Sequence, residues 1–553
     1  MTGRNDLGER SDGARNGGDV VVETLAALGV SHVFGIPGQH ALGLFDAIRR
    51  SDLTFVSSRI ENNSAFGADG YARATGEVGV MFLSTGPGAL TALGALQEAY
   101  ATGVPLLVIT SQVPRDGLGL RRGMLHQLDD QQRSATNVTK STAVVRRGAE
   151  IPSLLADAFA LAQSAPAGPT WVEIPQDVLL DATDVPPVTS VVTQIAERPA
   201  RAELITEAAA LLDAASRPVI LAGGGVRRSP GGPAALTALA ERLGAPVVST
   251  VGGKGAIRFD HPLSAASWIE DRYTTQLLED ADVLLAVGTA MGEVTSNYFT
   301  FRPKGRLIHV DAEPRVLEAN HPGLGIHADA ALALEAMAKQ VSQRDRSAGE
   351  RAAAELRTSV QRRLAEQDLA TELALMRDLR AAVPAAAHTF WDMTIAAYWA
   401  WSAWDPLDGE FHSAQGAGGL GFGYPAAIAA AIGSGERTFA VSGDGGAMYS
   451  IAELATARQH DADVTWLIVD DGGYGILREY MTDAFGQATA TELSRPDFAA
   501  LAASFGIPAH VATLDTVGEI VAGTFTTPGP AVVVLPALLH MFSPTHLEES
   551  HHG

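Results

Sequence analysis

The feature that most constrains this chain is a pair of acids, each at the end of an apolar run, with a helical stretch between them. Arg437-Thr-Phe-Ala-Val-Ser442 leads into Gly443-Asp444-Gly445. Val464-Thr-Trp-Leu-Ile-Val469 leads into Asp470-Asp471-Gly472-Gly473-Tyr474, which begins 26 residues after Asp444. Runs this short and this apolar read as buried strands. The residues from Ser450 to about His460 have helical spacing. The unit is therefore strand, turn, helix, strand, with an oxygen ligand at the carboxyl end of each strand, where open α/β sheets bind ligands. Gly445 and Gly446 leave backbone N–H groups bare at the turn, which suits phosphate. A hard cation such as Mg²⁺ would join Asp444 and Asp471 to phosphate oxygens. Taken alone, a Gly-Asp-Gly also fits an ordinary surface turn.

The chain has 553 residues, more than one domain holds, and three domains are the natural expectation. With 46% apolar and 19% charged residues it can bury ample core. A net charge of −23 opposes nucleic acid binding. There is no cysteine, hence no disulfide, thiolate metal site or cysteine nucleophile. No apolar run is long enough to span a membrane. Residues 1–17 are polar and lack an apolar signal core, so they read as a disordered tail on a cytoplasmic protein. The His551-His552 pair near the other end also reads as part of a mobile tail.

Two segments echo each other. Ala167-Gly-Pro-Thr-Trp-Val-Glu-Ile-Pro175 and Pro528-Gly-Pro-Ala-Val-Val-Val-Leu-Pro536 are each a turn, a β-rich run and a proline stop. Each closes a stretch of alternating strand and helix signals, which predicts two similar α/β domains, 18–185 and 368–545. Between them, at 195–342, short apolar runs at 217–222, 245–249, 281–287 and 306–310 predict a third parallel sheet flanked by helices. Residues 343–367 are charged and helix-forming, and predict a solvated linker helix.

This order resembles the three domains of the thiamin-diphosphate-dependent 2-oxo acid decarboxylase and acetolactate synthase superfamily: pyrimidine-binding, central and diphosphate-binding. In the first domain the resemblance rests on Phe34-Gly-Ile-Pro-Gly38, Gly67-Ala-Asp-Gly-Tyr-Ala-Arg73, Ser84-Thr-Gly-Pro-Gly88 and Pro105-Leu-Leu-Val-Ile-Thr-Ser-Gln112. In the middle it rests on Gly252-Gly-Lys-Gly255 and Ile308-His-Val-Asp-Ala-Glu-Pro314, and in the last on Gly421-Phe-Gly-Tyr-Pro-Ala-Ala427 and the paired acids. It implies thiamin diphosphate, with Mg²⁺ (or Ca²⁺ or Mn²⁺) held by Asp444, Asp471 and the carbonyl of Gly473. Gly443, Gly445 and Gly446 would approach the diphosphate. The chain departs from the family in having Asp470-Asp471 where Asn-Asn is common, which adds a carboxylate beside the diphosphate.

The resemblance also assigns roles. Glu61 matches the glutamate that shares a proton with the aminopyrimidine, and a buried, apolar setting would help hold that proton. The residue-level alternative is a surface glutamate at a helix start. Leu420, in Gly418-Gly-Leu-Gly-Phe-Gly423, matches the apolar prop under the bent cofactor, and Gly418 would let backbone approach the pyrimidine. Ile476 would also line the cofactor. Gln39, His40, Gln112, His126 and Gln127 are candidate pocket residues, with Leu477 and Tyr480 on the helix after the metal motif. The central glycine turns, Gly223-Gly-Gly225 and Gly288-Thr-Ala-Met-Gly292, do not form a dinucleotide fingerprint, so FAD is not expected.

The implied activity is decarboxylation of a 2-oxo acid, with release of an aldehyde or transfer of the enamine to an aldehyde or ketone acceptor. A homodimer is implied as the minimum assembly, with a tetramer expected. Two alternatives stay open: a flavin-containing synthase or oxidase on the same scaffold, and a catalytically silent paralogue acting as a subunit.

Overall fold

The computed structural model describes residues 15–543 and 545. The chain divides into two compact units, one up to Ile195 together with Ile428–Ser434, the other from Ala196 onward without that segment. The first carries one parallel sheet and the second carries two.

In the first unit the strands are β1 (His32–Gly35), β2 (Thr54–Ser57), β3 (Gly79–Leu83), β4 (Leu106–Gln112), β5 (Ser141–Val144) and β6 (Thr170–Pro175). Their order is β2-β1-β3-β4-β6-β5. The central strands β3, β4 and β6 are buried along their whole length, as parallel strands covered on both faces must be. The helix Glu61–Thr75 is tied down by a fully buried ion triad: Arg73 Nε lies 2.5 Å from Asp69 Oδ1, and Arg73 Nη2 lies 3.2 Å from Glu98 Oε1.

The second unit opens with β7 (Pro218–Ala222), β8 (Val247–Ser249), β9 (Val283–Val287), β10 (Arg306–Asp311) and β11 (Leu324–His327), in the order β11-β10-β9-β7-β8. Its last sheet holds β12 (Thr389–Trp391), β13 (Phe411–Ser413), β14 (Thr438–Gly443), β15 (Val464–Asp470), β16 (Ala509–Val511) and β17 (Ala531–Pro536), in the order β13-β12-β14-β15-β17-β16. That is the strand order of the first sheet repeated. The two echoing segments end as β6 and β17, which occupy equivalent places. Among the described residues no helix is long and apolar enough to cross a membrane.

Three sequence readings need correction. Residues 15–17 are not tail: Arg15 pairs with Glu23, and Asn16 caps the helix Gly17–Ala27 in a reciprocal capping box with Asp19. Residues 1–14 and the His551-His552 pair lie outside the described residues. The charged segment before the last sheet is a helix, Ser347–Ala365, but it is solvated on one face only. Ala353, Leu356, Val360 and Leu364 enter a core shared by the central and last sheets, and Arg363 forms a buried 2.7 Å ion pair with Asp271. Finally, the helix after Gly443 starts at Asp444, not at Ser450. Gly445 and Gly446 allow this, because a Cβ at either would meet the Tyr474 ring at 2.6 Å or Asp392 Oδ2 at 3.0 Å.

Lys254, in the Gly-Gly-Lys-Gly motif, is fully buried. Its Nζ donates to the carbonyls of Ala400 at 2.6 Å and Trp404 at 2.7 Å, at the end of the helix Ile395–Ala403, and lies 4.9 Å from the Phe411 ring. The negative end of the helix dipole and the ring face both favour the cation. Replacing Lys254 with Met keeps the bulk but leaves the buried Trp404 carbonyl without a donor, while the Ala400 carbonyl keeps the Trp404 N–H at 3.2 Å, which should cost about 1–3 kcal/mol. A urea midpoint shifted down at constant slope is the expected result.

Candidate active site

The pairing of β14 with β15 runs in register to their last residues, Ser442 beside Ile468 and Gly443 beside Val469. Asp444 and the Asp470-Asp471 pair therefore leave the sheet side by side. Asp444 is fully buried, and neither of its oxygens has a hydrogen-bond partner among the described residues. Burial, and then the facing charge of Asp471, push its acid up to about 7. Asp471 is also raised, by burial first, although the Gly473 N–H donating to Oδ1 at 3.2 Å pulls it down. A side chain at Gly475 would overlap Asp471 Oδ2, so glycine gives this carboxylate its room. Two opposed carboxylates, one of them with both oxygens buried and orphaned, fit a hard divalent cation with oxygen ligands.

Arg495 was not singled out by sequence. Its Nε donates to Asp470 Oδ1 at 2.7 Å and lies 3.3 Å from Asp444 Oδ2. It offsets the extra carboxylate that the Asp-Asp pair introduces. Asp392 was also missed. It is fully buried just past the end of β12, where Oδ1 accepts the N–H groups of Phe422 at 2.7 Å and Gly423 at 3.3 Å. It thereby fixes the glycine turn that presents Leu420, which is half-buried between Gly418 (φ 70°) and Gly421 (φ 83°). An acid just past the end of an apolar run, the signal that found Asp444, would have found Asp392. On the helix Gly475–Phe485, Ile476 packs into the core, whereas Leu477 and Tyr480 are exposed.

The first unit gathers the other candidates around the turn after β3. Glu61 is the first residue of its helix and only half-buried, less enclosed than the sequence reading expected. A Cβ on Gly88 would sit 3.2 Å from Glu61 Oε1. His40 is buried and its ring centre lies 5.3 Å from that of His126. Burial, then the charge of His126, lowers the His40 pKa, and Nδ1 has no hydrogen-bond partner among the described residues. His126 itself is held in the left-handed region at φ 62°.

Gln112 is bound into a buried network. It accepts from the Val113 N–H at 2.8 Å and donates to Glu173 Oε2 at 3.0 Å. Glu173 also accepts from Trp171 at 2.9 Å, and Gln131 accepts from the Gly86 N–H at 2.8 Å. Glu173 and Gln131 carried no motif, so sequence could not single them out. Gln127 staples its own loop instead of standing free, with Oε1 accepting from Met124 N at 3.1 Å and Nε2 donating to the Gly117 carbonyl at 2.9 Å. Gln39 is exposed at the start of a short 3₁₀ turn.

Two like-ordered parallel sheets, with two opposed carboxylates at the strand ends of the second, form an α/β scaffold whose strand ends suit a cofactor. Comparison with known proteins identifies the class. Residues 15–134 match the family model described as thiamine pyrophosphate enzyme, N-terminal TPP binding domain. Residues 205–337 match the central domain of the same enzymes and 392–535 the C-terminal TPP binding domain. The chain is 35% identical to a probable 2-ketoarginine decarboxylase of Pseudomonas aeruginosa, over 88% of each sequence. It is 30% identical to the acetolactate synthase isozyme 1 large subunit of Escherichia coli, over 89% of this chain and 88% of that one. For the isozyme 2 large subunit the identity is 30%, over 93% and 94%. The chain belongs to the thiamin-diphosphate-dependent decarboxylase and acetolactate synthase superfamily, and its cofactor is thiamin diphosphate.

Asp392 offers a test of this electrostatic picture. Burial raises its acid from the usual 3.8 to about 6. The folded state thus holds this proton more tightly than the unfolded chain, a contribution present below about pH 4 and lost as pH rises through about 6. Asp392→Asn keeps the Oδ1 acceptor and cannot ionise. In the cofactor-free protein it should match the parent near pH 4 and exceed its stability by about 3 kcal/mol near pH 7, as read from urea melts at both pH values.

Proposed function

We propose that this protein is a Mg²⁺-dependent enzyme that decarboxylates a 2-oxo acid and either releases the aldehyde or passes the acyl-carbanion equivalent to a second carbonyl. The observation that carries this is the pair of opposed carboxylates, buried Asp444 and half-buried Asp471, at adjacent strand ends within the C-terminal cofactor-binding domain. Thiamin diphosphate supplies the electron sink that lets CO₂ leave a 2-oxo acid. The protein's own residues do the rest. Asp444, Asp471 and the Gly473 carbonyl hold the metal, and Arg495 balances Asp470. Gly443, Gly445 and Gly446 keep side chains away from the diphosphate. Leu420, Ile476 and Gly418 shape the bed for the rings. Glu61 holds and returns the proton shared with the aminopyrimidine nitrogen. His40 and His126 in the first unit, and separately Leu477 and Tyr480 in the second, are candidate substrate contacts.

Within the class of 2-oxo acids, the likeness to the Pseudomonas protein supports a side chain that ends in a guanidinium. The deciding experiment supplies the holoenzyme with a panel of 2-oxo acids and measures CO₂ and carbon products, with and without an acceptor aldehyde. Stoichiometric aldehyde in the presence of acceptor identifies a decarboxylase, and a 2-hydroxyketone or acetohydroxy acid identifies a carboligase. No CO₂ from any 2-oxo acid, by protein that binds the cofactor, rejects the proposal.

Glu61→Gln should retain the cofactor but lose roughly 10²–10⁴-fold in turnover, because the amide cannot exchange the proton. Near-parental kcat would remove Glu61 from the reaction. Asp444→Ala should fail to bind thiamin diphosphate in Mg²⁺ by calorimetric titration, whereas Asp471→Asn should still bind it, since the amide oxygen can ligate a hard cation. We place the minimum assembly at a homodimer, with a tetramer expected. Mixed Glu61→Gln and Asp444→Ala chains should then recover part of the activity that each lacks alone.

A further inference from the structure

Glu270 lies just before the helix Arg272–Glu279 and is only 8% exposed. Its neighbour Asp271 is locked by the buried pair with Arg363, so the turn cannot swing Glu270 into solvent freely. The Tyr298 hydroxyl donates to Glu270 Oε1 at 2.8 Å. Oε2 has no hydrogen-bond partner among the described residues, and no Lys, Arg or His among them forms an ion pair with Glu270. A buried carboxylate is normally paired with a cation. This one is held in place without one.

The surroundings are built at some cost in backbone freedom. Asn297, Tyr298 and Phe299 are three consecutive non-glycine residues in the left-handed region, at φ 46°, 56° and 60°. Asn297 Nδ2 anchors the turn on Thr275 Oγ1 at 3.1 Å, and Thr545 Oγ1 donates to the Glu270 carbonyl at 2.8 Å. Two further tyrosines feel the charge. Tyr398, on the helix Ile395–Ala403, is raised to about 12 by burial and then by Glu270. Tyr480 is raised by burial, then by Tyr398 and Glu270. Tyr480 stands on the helix that begins at Gly475, directly after the metal-site glycines, so Glu270 lies within electrostatic reach of a helix rooted at the reaction centre. Tyr480 is also 46% exposed, which leaves its ring open to a ligand.

From the orphaned Glu270 oxygen and the Tyr298 hydroxyl that fixes the other one, we infer that this cluster is the subsite for the far end of the substrate, and that it takes a planar guanidinium. A guanidinium can donate to the free Oε2 in the fork geometry that suits a carboxylate. Tyrosine faces attract a flat delocalised cation. The inference rests on the proposed 2-oxo acid activity and deepens it: Glu270 sets selectivity, while the metal site and Glu61 are common to all substrates of the class.

The test compares 5-guanidino-2-oxopentanoate with 2-oxohexanoate, whose side chain is uncharged, using parent and Glu270→Gln holoenzymes of matched melting temperature. The parent should prefer the guanidino acid, and the variant's preference, as a ratio of kcat/KM values, should fall by about a hundredfold or more. The loss should appear in KM more than in kcat. An equal loss on both acids, or a parent that does not discriminate between them, overturns the inference while leaving the decarboxylase reading intact. Titration with 4-guanidinobutanoate, which carries the cation but no oxo group, reads the subsite without turnover. Binding by the parent and its loss in Glu270→Gln is expected even if no CO₂ is released from any acid, and no binding by the parent overturns the inference.

Discussion

The parallel, in-register pairing of β14 with β15 is the constraint on which the rest of this site depends. Parallel strands end on the same side of a sheet, so both apolar runs deliver their acids to one edge. Asp444 and Asp471 are thereby held facing each other, under enough burial to push Asp444 up to about 7. Such an arrangement is unfavourable for the protein alone and favourable once a divalent cation is bound. A slip of one residue in the register would turn Asp444 to the opposite face and dissolve the pair.

The same logic runs through the first sheet, because its strand order is the same. The turn after β3 carries Gly86 and Gly88, against His126 and Glu61. The turn after β14, the equivalent strand, carries Asp444. Gln112 ends β4, and Asp470 ends its counterpart β15. The loop after β1 carries His40, and the position after β12 carries Asp392. Two copies of one topology thus present different chemistry at matching strand ends, a glutamate with two histidines in one and opposed aspartates in the other.

Two buried ionisable groups in the second unit, each pushed by burial toward its neutral form, are treated in opposite ways. Lys254 is surrounded by two carbonyls and an aromatic face, and links the central sheet to the helix Ile395–Ala403. Everything it needs is supplied from within the chain. Glu270 has one hydroxyl donor and an oxygen left over. The first pattern belongs to a structural tie between two sheets, and the second to a place that a ligand completes.

The order of apolar runs, glycine turns and acids by itself determined three parallel-sheet domains, two of them alike, and singled out Asp444 and Asp471 as candidate ligands. Those features are local: each depends on a strand-length run and the residue that follows it. Tertiary structure decided the rest. Arg495 reaches Asp444 and Asp470 from a loop beyond the next helix, and Asp392 reaches Phe422 across a helix, a strand and a turn. Glu173 meets Gln112 because β4 and β6 are neighbours although far apart in sequence, and Gln131 joins them through Glu173. The orphaned state of Glu270 is likewise invisible in sequence, since a glutamate flanked by Ile269 and Asp271 looks like any helix-start acid. Whether a carboxylate is paired depends on what the fold brings within about 3 Å of it, and only the packed chain fixes that.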